Sequence, residues 1–199
     1  MSEALDAVLE RSRALGFLGP GPAQDQRRHA EAFVEVLGDA TGTIVDLGSG
    51  GGVPGLVVAV ALPACRLVLL DSIAKRCRFL EWAIAELGLD ATVYEGRAED
   101  AGRGDLRGTA TAVLARSFGP PAVAAECAAP LLADGGRVIV SEPPGGGEGR
   151  WPAAGLARLG LGLGAVHTGP PTIQVLDQVA PCPATYPRRS GIPAKRPLF

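Results

Sequence analysis

A short apolar run that ends in an acid and leads into a cluster of glycines constrains the fold more than any other feature of this chain. The run Thr43-Ile44-Val45 is followed by Asp46, by the glycine-rich segment 48–55 and by the apolar segment 56–60. This order is typical of a strand, a tight turn and a helix, and glycine lets the turn be sharp and a ligand approach closely. We expect Pro54 at the first helical position, so that the free N–H groups of the helix face a polar ligand.

Two glycine frames fit this loop, and they indicate different ligands. The dinucleotide pattern G-x-G-x-x-G fits as Gly50, Gly52 and Gly55, but that frame starts late relative to the strand. The other frame starts at the last strand residue and reads Asp46-x-Gly48-x-Gly50-x-Gly52; it resembles the first motif of class I methyltransferases, which use S-adenosylmethionine (SAM). A loop without a ligand is the third alternative. The strand, acid, spaced glycines and helix together favour a nucleotide-type ligand.

Composition indicates a single domain of ordinary size. The chain has 199 residues, 47% of them hydrophobic, and a net charge of −2, so no general basic excess marks an extended RNA-binding groove. The N-terminus lacks the pattern of a signal peptide, and the apolar stretch 53–64 is broken by Pro54, Gly55 and Pro63. The four cysteines show no C-x-x-C spacing. We therefore expect a cytoplasmic monomer without a metal site or membrane span.

Strand-like and helix-like segments alternate along the chain. Strands are predicted at 43–46, 66–71, 91–95, 111–115, 137–141, 163–168 and 172–179, and helices at 3–15, 25–37, 56–60, 73–87, 120–132 and 151–159. A loop rich in Pro and Gly is predicted over 143–149. The alternation predicts a doubly wound α/β fold with a mostly parallel seven-stranded sheet. The last two strands would close it as an antiparallel hairpin around 169–171.

A second acid, Asp71, ends the second predicted strand. It lies 21 residues after Gly50 (71 − 50), near the spacing of an acid that binds ribose hydroxyls. The structural alternative is a cap for the helix that follows. Because Ser72 can act as that cap, the ribose interpretation is favoured.

The chain divides by composition into an N-terminal helical segment (1–40), a core (41–180) and a basic tail (181–199). The tail has little apolar periodicity and contains Arg188, Arg189, Lys195 and Arg196 without an acid. Its prolines favour an extended chain that presents these charges, and we predict that they bind RNA phosphates. The alternative is an ordinary frayed terminus.

Several segments together resemble one family, the RsmG (GidB) methyltransferases, which methylate N7 of a guanine in bacterial 16S ribosomal RNA. The similarity covers most of the chain from about Gln24. The glycine loop is common to all class I methyltransferases, whereas the segment 69–80 and the tail are more specific. The segments that carry the resemblance are 28–29, 46–55, 69–80, 96–99, 115–118 and 186–198.

The resemblance implies a Rossmann-like class I methyltransferase fold, SAM as cofactor, and 16S rRNA or the small ribosomal subunit as partner. The implied cofactor-binding residues are Asp46, Gly48, Gly50, Val53, Asp71, Ala98, Glu99 and Arg116. Among them, Ala98 and Glu99 would hold the adenine end, and Arg116 would be catalytic, beside both methyl donor and RNA. Without the resemblance, Glu99 would be interpreted as a first-turn helix acid and Arg116 as a surface charge.

The implied reaction needs no general base, because guanine N7 already has a lone pair in the base plane. The enzyme must align N7 with the methyl group and exclude water. Three other functions stay open. A SAM methyltransferase of a small molecule is favoured by a pI of 5.7 and by Glu142, where RsmG proteins usually have lysine. The others are a non-catalytic SAM-binding relative and a nicotinamide dehydrogenase, which rests on the late glycine frame.

Overall fold

The computed structural model describes residues 2–144 and 149–199, so part of the predicted loop 143–149 lies outside the described residues. The strands are β1 (Gly42–Leu47), β2 (Cys65–Asp71), β3 (Ala91–Glu95), β4 (Ala110–Ala115), β5 (Leu132–Ser141), β6 (Leu161–His167) and β7 (Ile173–Gln178). The helices are α1 (Ser2–Ala14), α2 (Ala23–Leu37), α3 (Gly55–Ala61), α4 (Ala74–Leu87), α5 (Ala98–Ala101), α6 (Pro121–Ala128), α7 (Ala153–Ala157) and α8 (Ile192–Lys195), with a 3-10 turn at Ala129–Leu131.

All seven strands form one sheet in the order β3-β2-β1-β4-β5-β7-β6. The strands β1 to β5 pair in parallel, and β7 is antiparallel to both β5 and β6. The predicted doubly wound sheet with a closing hairpin is therefore confirmed. Chain order reverses between β1 and β4, and ligands of open α/β sheets bind beyond the carboxyl ends of the strands at such a point.

Several helix boundaries differ from the prediction: the helix predicted over 151–159 spans only Ala153–Ala157, and two other differences have a clear physical cause. The helix predicted over 120–132 ends at Ala128, and β5 begins at Leu132, where that residue pairs with Ala110. Pro130, which has no N–H, falls in the 3-10 turn between them. The helix after the glycine loop begins at Gly55, so Pro54 is its N-cap and not its first residue.

The core lies on both faces of the sheet. Successive residues of β1 point to opposite faces of the sheet. Val45 packs with α6 and α7 on one face, whereas Ile44 packs with Phe33 of α2 on the other. Both N-terminal helices contribute buried side chains to the second side, where α1 and α4 also meet. No helix in the described ranges has the length and apolar character needed to cross a membrane.

The C-terminal tail is docked on the domain and includes α8, so the prediction of an extended chain was wrong; of its four predicted cations, Arg188 is bound to an acid and the other three are exposed. Arg188 binds the fully buried carboxylate of Glu126 on α6, through Nε to Oε1 at 2.8 Å and Nη2 to Oε2 at 2.6 Å. The Gly191 amide donates to Glu99 at 2.8 Å, and Pro193 is buried. Buried acids elsewhere in the fold thus supply partners that the tail's own sequence lacks.

Candidate cofactor and substrate site

The glycine loop is anchored to the neighbouring strand. The amides of Gly48 and Ser49 both donate to the Leu70 carbonyl, at 2.8 and 2.9 Å. At Gly48 the backbone has φ +74°, and a Cβ there would lie 2.7 Å from the Phe118 ring. Glycine is required at this position because any side chain would be strained and would collide with that ring.

Asp46 supports the loop from behind. Its side chain is buried, and Oδ2 accepts the Gly55 amide at 3.0 Å. The first amide of α3 is therefore already bonded, so the expectation that it faces a ligand was wrong. Asp46 lines none of the cavities described below, and its assignment as a cofactor-binding residue stays a prediction. Burial raises the pKa of Asp46 to about 7, because its effect outweighs that of the hydrogen bonds from Ser49 and Gly55, which lower the pKa.

Asp71 connects the loop to the next helix. Its Oδ2 accepts the Gly50 amide at 2.8 Å, and its Oδ1 accepts the Ile73 amide at 2.9 Å. The expectation that Ser72 caps the helix and leaves Asp71 free was wrong, because Asp71 itself bonds the amide at the start of the turn. Each carboxylate oxygen retains a second acceptor site.

A cavity of about 220 Å³ lies beside the glycine loop. Gly48, Gly50 and Val53 line it together with Arg76 and Arg116. The Nε of Arg76 is buried and has no hydrogen-bond partner among the described residues, while its Nη1 lies 3.7 Å from Asp71. An unpaired guanidinium donor in a glycine-lined cavity fits the carboxylate of an amino-acid-like group such as the methionine end of SAM.

A second cavity, also of about 220 Å³, lies at the ends of β2 and β3. Ala98 and Glu99 line it, with Leu70, Phe118 and Ala194 of the tail. Its largely apolar walls fit a flat aromatic group such as adenine. The Glu99 carboxylate accepts the Gly191 amide of the tail. Burial raises the pKa of Glu99, but the Gly191 amide and Arg97 outweigh burial and hold that pKa below its usual value.

A larger cleft of about 350 Å³ continues from the first cavity. Arg116 and Ser117 line both, and Phe118 lines the larger cleft and the adenine-type cavity. Arg116 follows β4, and its Nη2 donates to the side-chain oxygen of Gln26 on α2. The structure therefore places Arg116 at the junction of the glycine-lined cavity and the larger cleft.

Glu142 lies in this cleft as one half of an ion pair. Its Oε2 is 2.6 Å from Nε of Arg150, and its Oε1 accepts Nε1–H of Trp151 at 2.5 Å. The acid that favoured a small-molecule substrate is thus neutralised by a neighbouring cation. Its charge does not oppose an anionic substrate in the way that an isolated carboxylate would.

His29 on α2 also lines the cleft, and its environment predicts a pH-dependent contribution to stability. Burial, and then the charge of Arg116, lower the pKa of His29 from 6.5 to about 4. The unfolded chain therefore binds more protons between pH 4 and 6.5, and the free energy of unfolding falls as the pH is lowered through that range. With solvent screening, we expect a loss of about 2 kcal/mol.

The His29→Gln variant lacks this titration and is the control. Denaturant unfolding of both proteins at a series of pH values should give curves that converge as the pH falls from 6.5 to 4. A constant difference between the two curves across that range would contradict the assignment.

Sequence reasoning missed several residues of these cavities. The cavity beside the glycine loop is also lined by Phe17 and Leu18, which lie in the connection between α1 and α2. Ser12 Oγ donates to the Gly51 carbonyl of that loop at 2.8 Å. Arg76 was not among the predicted site residues, although it lies in the segment 69–80 that carries the family resemblance. For Phe118 a signal existed, because it lies in the segment 115–118 that carries the family resemblance. For Phe17 and Leu18, in a stretch of Gly and Pro, there was none.

The four tail residues predicted to bind RNA differ in their surroundings. Arg189, Lys195 and Arg196 are exposed and make no ion pair with any residue in 2–144 or 149–199. Arg188 is not exposed and unpaired in this way. Its guanidinium donates to the Glu126 carboxylate and, at 2.7 Å, to the Arg196 carbonyl. Its prediction as a presented charge is therefore corrected.

Solved structures, one of them named as a methyltransferase, share the fold. The cofactor-bound protein Rv0187 from MTB matches with a TM-score of 0.63 and 17% identity over 89% of this chain and 90% of its own. A methyltransferase from Geobacter sulfurreducens matches with a TM-score of 0.61 and 14% identity over 89% of each chain.

Sequence relatives are more specific. The Ribosomal RNA small subunit methyltransferase G of Carboxydothermus hydrogenoformans is 38% identical, over 77% of this chain and 70% of its own. The protein of the same name from Synechococcus elongatus is 36% identical, over 80% of this chain and 70% of its own. The model of the GidB family, rRNA small subunit methyltransferase G, matches residues 30–142. This chain belongs to the GidB family.

Proposed function

We propose that this protein transfers a methyl group from SAM to N7 of a guanine in 16S rRNA of the small ribosomal subunit. The observation that carries the proposal is the junction at Arg116, where a glycine-lined cavity continues into a separate cleft. Membership of the GidB family supports the RNA substrate. The cleft lies beyond the carboxyl ends of the strands, beside the point where chain order reverses.

The two smaller cavities fit the two ends of SAM. Arg76 would bind the methionine carboxylate, and Ala98 would contact the adenine. Asp71 would accept the ribose hydroxyls with the acceptor sites that its backbone bonds leave open. When bound, SAM supplies an electrophilic methyl group. Gly48 and Val53 would line the pocket, whereas Asp46 would act indirectly by holding the loop.

Arg76→Ala is expected to weaken SAM binding about 10- to 100-fold, because it removes a charge-assisted hydrogen bond from a partly buried side chain. Titration calorimetry measures this affinity directly. Arg78→Ala is the matched control: it removes the same charge from an exposed position on the same helix and should leave affinity unchanged. Equal affinities for the two variants would refute the assignment of Arg76.

The target guanine is proposed to occupy the larger cleft. N7 needs no base to remove a proton, so the residues of the cleft have to bind, orient and exclude water. Arg116 is the candidate for orienting the base, because its planar guanidinium can donate to the guanine O6 next to N7. His29 is neutral at physiological pH, so it adds no charge to the cleft.

The exposed cations of the tail are proposed to contact RNA outside the cleft. The side chains that remain available for phosphates are those of Arg189, Lys195 and Arg196. The side chain of Arg97, which pairs with the Glu99 carboxylate that the tail also contacts, is half-exposed. This basic surface offsets locally the chain's net charge of −2.

The experiment is methylation of small subunits purified from a strain that lacks this protein. Purified protein and labelled SAM are added, and the RNA is digested to nucleosides for mass spectrometry. The expected product is 7-methylguanosine, in an amount of one per small subunit. Methylation at another atom, or none by a protein that binds SAM, would refute the proposal; heat-denatured protein is the control.

A further inference from the structure

We propose that Arg150 binds a backbone phosphate of the RNA beside the target guanine, and that Glu142 positions it there. The inference rests on the proposed function and assigns one substrate contact in the larger cleft. It follows from a chain of contacts that leads from the hydrophobic core to the cleft.

The contacts begin at Trp151, a buried member of the core under α6 and α7. Its indole N–H bonds Oε1 of Glu142, and the other oxygen of that carboxylate lies 2.6 Å from Nε of Arg150. The Glu142 side chain is only 7% exposed. An arginine held in this way has lost much of its rotational freedom before any ligand arrives, and preorganisation favours binding.

The outer part of the Arg150 guanidinium is available. Glu142 contacts Nε as an ion pair rather than through a hydrogen bond, and neither terminal nitrogen of Arg150 has a hydrogen-bond partner among the described residues. The Arg150 side chain is 34% exposed and lines the cleft. Two unpaired N–H groups on one planar group fit the two oxygens of a phosphate.

The charges of the cleft also favour an anion. Its described ionisable lining consists of His29, Arg116, Glu142 and Arg150. His29 is neutral at pH 7, so two guanidinium groups face one carboxylate and the cleft carries a net positive charge.

A phosphate is the better partner than the base. Methyl transfer to N7 leaves a positive charge on the guanine, and a second guanidinium against the base would oppose that charge. A phosphate would instead be neutralised by Arg150 and would fix the nucleotide while N7 stays free.

The test compares four variants, Arg150→Ala, Arg150→Lys, Glu142→Gln and the double Arg150→Ala/Glu142→Gln, with wild type in steady-state methylation and in salt-dependent RNA binding. Arg66→Ala is the matched control, since Arg66 is exposed on β2 at the opposite end of the sheet.

Arg150→Ala should raise the KM for RNA about tenfold, change kcat little and leave SAM affinity unchanged. The slope of log K against log salt should decrease in magnitude by about 0.7. Arg150→Lys should restore the slope but only part of the KM. Glu142→Gln should raise the KM less, and the double variant should be no worse than Arg150→Ala, as expected for a residue that acts through Arg150.

An Arg150→Ala protein with the wild-type KM and salt slope would overturn the inference, as would additive losses in the double variant. If wild type proves inactive on RNA, the proposed function fails. The salt slope of RNA binding then still decides on Arg150, because that measurement requires no methyl transfer.

Discussion

Arg188→Ala is expected to lower the free energy of unfolding by about 3–5 kcal/mol, because it leaves the carboxylate of Glu126 buried without its cationic partner and with only the backbone amide of residue 188 bonded to it. Three hydrogen bonds to that carboxylate come from Arg188, including its own backbone amide at 2.9 Å. For a chain of this size the melting temperature should fall by about 10 °C. Calorimetry or denaturant unfolding measures the effect.

The neighbouring residue provides a matched control. Arg189→Ala removes the same charge from an exposed side chain and should change stability by less than about 0.5 kcal/mol. It should instead reduce the salt dependence of RNA binding. The double variant Glu126→Gln/Arg188→Ala should recover part of the lost stability, since no buried charge remains. Equal stability of the Arg188→Ala and Arg189→Ala proteins would show that the Glu126 pair contributes nothing.

Arg116→Ala is expected to lower kcat/KM for RNA methylation about 100-fold or more, the range for removal of one donor that stabilises a reacting group. Arg116 is held by Gln26 and is attracted by the buried Asp46, so its guanidinium is fixed where the two cavities meet. Arg116→Lys keeps the charge but loses the planar fork, and should recover only part of the activity.

Arg137→Ala is the control for a purely structural loss. Arg137 lies on the neighbouring strand β5 and also donates to one partner, the Leu37 carbonyl at 3.2 Å, but it is remote from the described cavities. The Arg116→Ala and Arg137→Ala proteins should both melt within a few degrees of wild type, and only Arg116→Ala should lose methylation activity. A large loss of stability in Arg116→Ala with normal turnover per folded molecule would mean that Arg116 has a structural role only.

The order of strands and helices could be predicted because the buried parts of the parallel strands are apolar runs, as at 67–70 in β2 and 112–115 in β4. The glycine loop could be placed for the same reason, since it follows β1 directly. Gly48, Gly50 and Val53 were thus brought to one cavity by topology alone. Neighbouring parallel strands bring the loops at their carboxyl ends together whatever the loops contain.

The contacts of the tail could not be predicted, because the pairing of Arg188 with Glu126 spans 62 residues. Glu126 stands in a helix otherwise made of small apolar residues. An acid at such a position signals a buried charge but does not identify its partner. The same applies to Glu142, whose effect on the cleft depends on Arg150 and not on its own residue type.

The docking of the tail onto Glu99 links the C-terminus to the cofactor cavity. Glu99 accepts the Gly191 amide, and Ala194 forms part of the wall of the adenine-type cavity. Detachment of the tail would therefore open that wall, so detachment and loss of cofactor are thermodynamically coupled: a ligand that requires the closed wall must also stabilise the attached tail. A protein shortened before Arg188 would consequently report on cofactor affinity, folding and RNA contacts together, whereas substitutions of single exposed cations separate these effects.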